Sequence, residues 1–180
     1  MTDAAAPRTS HRLYAVTIGL ALLVILADQG SKLWAESSLE VGKSTDVIGD
    51  LIRFQLIYNP GAAFSIGTGF TWIFTIIAGI AVVGIAIFAW RVTSRAWAIL
   101  LGLLLGGAAT HLGDRLFREP SFGQGHVVDF IAYGNLFIGN VADIVIVGCG
   151  VFGVILMARG VRFRAEPAVE SAPEPVTPEA

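Results

Sequence analysis

The sequence predicts an all-α membrane protein: a bundle of four transmembrane helices carrying a small extracytoplasmic β ribbon, or cradle. Three observations lead there. Of 180 residues, 54% are hydrophobic and only 14% charged, with a mean hydropathy of +0.71, whereas a water-soluble domain carries charge on about a quarter of its residues. Four runs, Leu13 to Ala35, Phe70 to Trp90, Ala96 to about Arg115 and Leu136 to Ala158, meet the roughly 20 apolar residues needed to cross a hydrocarbon core about 30 Å thick. Finally, Leu51 to Tyr58 reads LIRFQLIY, a branched and aromatic run that breaks at Asn59-Pro60-Gly61, which is how a short strand ends in a turn.

Residues 1–12 precede the first span as a cytoplasmic segment. Arg8 and Arg12 stand before the 15-residue charge-free run Leu13 to Ala27, which resembles a cleaved leader, but no A-x-A site follows, so the segment is read as a retained helix. Positive loops stay cytoplasmic. Seven arginines (Arg8, Arg12, Arg91, Arg95, Arg159, Arg162 and Arg164) fall on one side, against Lys43, Arg53 and Arg118 on the other. This places both termini in the cytoplasm and puts the loops of about 36–69 and 116–135 outside. Residues 13–158 form the membrane domain. Residues 159–180 form a tail, rich in Pro, Glu and Ala and expected to be disordered from about 166. A net charge of -2 with no basic stripe excludes a nucleic-acid partner. Cys149 is the only cysteine; it allows no intrachain disulfide and sits in an apolar run where it packs.

Ionisable groups within spans cost about 2.5 to 3.5 kcal/mol each on insertion scales, so each one is a functional candidate. Asp28 lies seven residues before the outer end of the first run and Asp143 seven after the start of the fourth; at about 1.5 Å per residue both sit roughly 10 Å below the outer surface. Asp114 closes the third span on that side, and Asp129 stands in the outer loop. Asp28 with Lys32 four residues on also fits an ordinary interfacial pair, and Asp114 beside Arg115 fits a structural brace. Asp129 and Asp143 lie among apolar neighbours with no Lys or Arg closer in sequence than Arg118 or Arg159. Two carboxylates in a partly dry site share one proton, the arrangement of aspartyl protease chemistry, in which one member activates water and the other donates to the departing amine. From spacing alone a proton or ion pathway in a carrier is equally open.

Other chemistries fit less well. Ser31 and Lys32 are adjacent on a helix and cannot form a dyad, and G-x-S-x-G and H-E-x-x-H do not occur. His111-x-x-Asp114 and His126-x-x-Asp129 have a metal-ligand spacing that also arises by chance, and no metal or cofactor is expected.

Taken in order, four blocks resemble the lipoprotein signal peptidases, the type II signal peptidases of bacterial membranes. They are Asp28-Gln29-Gly30-Ser31-Lys32; Asn59-Pro60-Gly61-Ala62-Ala63-Phe64-Ser65; Gly106-Gly107-Ala108 through Asp114-Arg115; and Val127-Val128-Asp129-Phe130 with Asn140-Val141-Ala142-Asp143. The resemblance spans about Leu13 to Ala158. It implies an aspartyl endopeptidase of the cell membrane, working as a monomer among membrane lipids, that cuts diacylglyceryl-modified prolipoproteins before the modified cysteine. Asp129 and Asp143 match the catalytic dyad; Asp28, Lys32, Asn59, Asp114, Arg115 and Asn140 match supporting or substrate-binding positions, and Gly61, Ala62 and Ala63 would let an extended substrate backbone approach.

Two departures touch the site. Thr110-His111 stands where the family usually has Gly-Asn, and Gly139 where it has Phe. An imidazole donates and accepts through separate nitrogens and changes charge near neutral pH, so His111 can replace the amide, alter the dyad's proton affinity or weaken the enzyme. These departures motivate the competing reading, a small carrier or a non-catalytic lipoprotein-binding relative. The loop of 116–135, with Gly123, Gln124 and Gly125, is expected to move as a lid.

Overall fold

Along the first helix, α1 (His11–Ser38), the buried residues are Thr17, Ala21, Val24, Asp28, Lys32 and Ala35, a stripe at helical spacing of small side chains in its first half and charged ones in its second. In the computed structural model, which describes residues 11–61, 67 and 69–164, that stripe lies against α3 (Arg95–Phe117). With α2 (Thr71–Arg91) and α4 (Val141–Ala158), the chain has four helices long and apolar enough to cross a membrane, as the apolar runs predict. Helix α3 is the most buried of them and packs on all three others.

Close packing of α1 on α3 depends on glycine. A Cβ on Gly102 would lie 2.7 Å from the Thr17 carbonyl oxygen, and one on Gly106 would lie 2.7 Å from the Ala21 carbonyl and 2.6 Å from the Val24 Cβ. Lipid offers no hydrophobic drive between helices, so such small-residue contacts carry association through van der Waals packing. Thr17 adds a hydrogen bond from its hydroxyl to the Ala98 carbonyl at 3.0 Å. Gly106→Ala therefore pushes backbone against backbone and is expected to cost about 1–3 kcal/mol by overpacking, read as a fall in thermal midpoint in detergent; an unchanged midpoint would show that the helices are not locked here.

At about 1.5 Å per residue, the 28 residues of α1 are longer than a hydrocarbon core of about 30 Å. Its end carries a four-stranded antiparallel sheet in the order β1 (Ser44–Ile48), β2 (Ile52–Asn59), β3 (Val127–Tyr133), β4 (Phe137–Gly139). Ala35, Leu56, Val128 and Phe130 form its core, with Trp34 edge-on to Phe54 at 5.1 Å and to Phe130 at 6.1 Å. The expected strand at 51–58 is β2. Between Phe54 and Ile57 its register with β3 slips by one residue; such a bulge bends a strand and re-aims its side chains, here beside Asp129.

Three expectations are corrected. Helix four starts at Val141, not Leu136: Phe137–Gly139 pairs with β3, and Asn140 caps the helix. A short apolar run does not distinguish strand from helix. Asp143 consequently sits in the first helical turn rather than a full turn deeper. Asp129 is not in a loop but on β3, a strand with neighbours on both sides. The segment expected to move as a lid is therefore a sheet strand in its second half. Its first half is tied down by Gly125 N–H to the Arg115 carbonyl at 2.9 Å, His126 N–H to Glu119 at 2.9 Å and the Thr75 hydroxyl to Gly123 at 2.7 Å. Ala62, Ala63 and the tail from 166 lie outside the described residues.

Candidate active site

The charged half of the α1 stripe begins the site. Lys32 and Asp28 are fully buried, with Nζ 2.5 Å from Asp28 Oδ2 and 2.6 Å from Asp114 Oδ2 on α3. The i, i+4 pair expected on α1 thus has a third member from another helix. Asp114 Oδ1 accepts from Gln29 Nε2 at 2.9 Å and Arg118 Nε at 2.7 Å, and Arg118 reaches Glu36 at 2.7 Å. Asp28 Oδ2 accepts from the Thr110 hydroxyl at 2.6 Å, while Oδ1 accepts from the Ala142 N–H at 2.9 Å. That N–H belongs to the first turn of α4, where the helix itself provides no partner. Asp28 therefore fastens the start of α4 to α1.

Asn140, fully buried, is the N-cap of α4. Its side-chain oxygen accepts from the Asp143 N–H at 3.1 Å, and the Asp143 carboxylate accepts from the Asn140 N–H at 2.9 Å, a capping box. The remaining amide nitrogen donates to Asp129 Oδ1 at 2.7 Å. One asparagine thus touches both candidate carboxylates. Asp129 is 3% exposed; its Oδ2 accepts from Asn59 Nδ2 at 2.9 Å, a diagonal neighbour across the β2–β3 ladder. Burial pushes its carboxyl up to about 6; the Asn59 amide opposes this, the Asp143 charge adds to it, and the Asn140 amide and His111 work against it.

Arg115 organises the turn that follows β2. Its guanidinium donates to the carbonyls of Asn59 at 2.9 Å and Gly125 at 3.1 Å, and to that of Gly61. The Asn59 side chain also accepts from the Gly61 N–H at 3.0 Å. A bidentate cation on backbone carbonyls fixes the turn that presents Asn59 to Asp129.

Asp129, Asp143, Asn59, Gly61, His111 and Arg115 share one cavity of about 400 Å³, walled by Phe74 and Ala78 of α2, Val127, Phe137, Ile138 and Val147. Asp28, Lys32, Asp114 and Asn140 stand behind it as support. His111 faces Asp143, with Nε2 3.2 Å from Oδ1, whereas Asp114 turns to Lys32, so the two His-x-x-Asp pairs do not converge as one ligand set. Sequence reasoning gave no site role to Glu36 or Arg118, named Gln29 only within a motif block, and marked Thr110 only as a departure beside His111. Their roles rest on contacts between residues more than 80 positions apart, such as Gln29 with Asp114; only the position of Arg118 one helical turn after Asp114 hinted at them.

The model of the family described as Signal peptidase (SPase) II matches residues 20–159. The chain is 47% identical over 164 residues to a protein named Lipoprotein signal peptidase from Leifsonia xyli subsp. xyli, covering 88% of this chain and 75% of that one. It is 48% identical over 149 residues to one of the same name from Streptomyces coelicolor, covering 83% and 73%. Its fold matches a solved bacterial membrane enzyme, determined by the in meso method, with a TM-score of 0.72 at 25% identity over 84% of this chain and 92% of that one. Four helices long and apolar enough to cross a membrane, a largely apolar cavity holding two carboxylates and these likenesses together identify a multi-pass bacterial membrane protease that processes prolipoproteins, a member of the signal peptidase II family.

Proposed function

We propose that the protein is an aspartyl endopeptidase whose catalytic dyad is Asp129 and Asp143, and that it cuts lipid-modified prolipoproteins just before the diacylglyceryl cysteine. The observation that carries this reading is the joint hold of Asn140 on both carboxylates at the wall of one cavity. Two acids so placed share a proton. The ionised member removes a proton from a water as its oxygen adds to the scissile carbonyl, and the protonated member donates to the oxyanion. Collapse of the tetrahedral adduct breaks the C–N bond and passes a proton to the amine of the cysteine, leaving a carboxylate on the released signal peptide. Asn59, Arg115 and Gly61 shape the turn along which the substrate backbone lies; Asp28, Lys32 and Asp114 hold α1, α3 and α4 in register behind it. No cofactor takes part.

Residues 13–158 form the peptidase domain, which acts as a monomer with both termini in the cytoplasm and the cavity near the extracytoplasmic face, in keeping with the arginine asymmetry. Val147 lines the cavity and is 66% exposed on the apolar outside of α4, so the site opens toward lipid, where a signal helix and acyl chains reside. Cleavage assays in mixed micelles test the substrate: a diacylglyceryl-modified precursor should be cut at least about 100-fold faster than its unmodified form, since remote binding energy is used to orient the reacting bond. Equal rates would remove the lipid from the reading.

The dyad also sets a pH dependence. Asp129, held up to about 6 by burial, must be protonated to act as the acid, so kcat/KM should fall as pH rises through about 6. The limb in kcat should lie higher, because bound substrate displaces water from the cavity and raises a buried carboxyl further. A kcat/KM flat between about pH 5 and 8 would contradict this.

A further inference from the structure

Two residues from different elements, His111 of α3 and Gly139 of β4, meet on one group, the Asp143 carboxylate. His111 Nε2 lies 3.2 Å from Asp143 Oδ1. On the other side, a Cβ on residue 139 would stand 2.9 Å from Asp143 Oδ2, and the glycine there leaves room for Oδ2 to accept the Asn140 N–H at 2.9 Å. Both oxygens of Asp143 are thereby held. Asp143 is also the third residue of α4, where the helix N-terminus favours negative charge. Asp129 has a different environment: it is nearly fully buried on a strand, and its side-chain partners are the neutral amides of Asn59 and Asn140.

From this asymmetry we propose that His111 is a positioning residue that keeps Asp143 as the ionised, water-activating member of the dyad, which assigns the shared proton to Asp129. The inference rests on the dyad reading above, with Asp129 as its acid, and goes beyond it by naming the residue that keeps Asp143 charged. The charged groups around the imidazole are consistent with it. Asp143 from α4 is in contact, and Asp129 from β3 lines the same cavity, as does Arg115, one turn further along α3. Helix α2 and strand β4 contribute only apolar side chains there, and the Lys32, Asp28 and Asp114 cluster lies behind. The imidazole Nε2, 3.2 Å from Oδ1, favours the charged form of the carboxylate by hydrogen bonding, and any positive charge the ring carries adds direct Coulomb attraction. A neutral amide in its place would hydrogen-bond but supply no charge.

Two measurements test this. In the cleavage assay, His111→Asn and His111→Ala should move the acid limb of kcat/KM upward by about one pH unit relative to the parent, a loss of about tenfold at the foot of the limb. A purely structural role would scale the whole profile without moving the limb, and that result would overturn the proposal. Infrared difference spectroscopy of the resting protein at about pH 5 locates the proton without cleavage. The protonated-carboxyl stretch should vanish in Asp129→Asn and persist in Asp143→Asn; the reverse would overturn the assignment. If the parent fails to cut the lipidated precursor, the hydrolytic reading falls, while the infrared result still decides where the proton sits.

Discussion

Asp129→Asn is expected to remove cleavage while making the protein more stable near neutral pH. The loss of activity follows from removing the proposed general acid, worth about 10²–10⁴-fold, and Asp143→Asn should lose as much. The stability gain follows from burial. The folded-state value of Asp129, about 6, lies above the ordinary 3.8, so the folded protein binds this proton more tightly than the unfolded chain does. Stability then falls as pH rises from about 3.8 to about 6, and the full cost is present above that range. At about 1.4 kcal/mol per pH unit this amounts to about 3 kcal/mol. Asparagine never ionises and escapes it, but its NH₂ meets one of the two amide donors, at Asn59 or Asn140, which offsets about 1 kcal/mol. Thermal unfolding in detergent should show Asp129→Asn melting above the parent at about pH 7.5 and losing that advantage at about pH 4. A variant that melts lower at both would mean that the carboxylate is well solvated by its neighbours and that its acidity is not set by burial.

Lys32→Met should have the largest effect on stability of any single change in the site. The ammonium is fully buried between Asp28 and Asp114, and removing one member of a buried ion cluster leaves uncompensated charge, at about 3–5 kcal/mol. Arg118 still reaches Asp114, so Asp28 is the group most exposed to the loss. Asp28 holds the Ala142 N–H at the start of α4, two residues from Asn140 and one from Asp143. The damage should therefore reach the dyad, with cleavage falling faster than the folded fraction. Adding Asp28→Asn removes the orphaned charge and should recover about half of the lost stability. If Lys32→Met alone melts within about 1 kcal/mol of the parent, the cluster is hydrated and contributes little.

Several features of this protein can be read without coordinates. The count of spans follows from transfer of side chains into lipid, a sum over neighbouring residues that needs no partner. The strand at 52–59 and its turn at Asn59-Pro60-Gly61 are likewise local, set by branched side chains and by the φ constraint of proline. The motif blocks named Asp129 and Asp143, and Asp28 with Lys32 declared a pair by spacing alone.

What local signals could not decide is where the apolar run of 136–158 changes from strand to helix. Periodicity is ambiguous over so short a stretch, and the choice falls to pairing with β3 and to the Asn140 cap. Asp129 looked like a loop residue because the strand that pairs beside it, β2, lies some 70 positions earlier in the chain. The contact of His111 with Asp143, the place of Lys32 between two helices and the glycine seam of α1 on α3 are also agreements between distant segments. Sequence determines which groups must be satisfied inside a membrane; the tertiary structure chooses their partners, because an ion, an amide or a bare helix terminus removed from water takes whichever complement the packed fold brings within hydrogen-bonding distance.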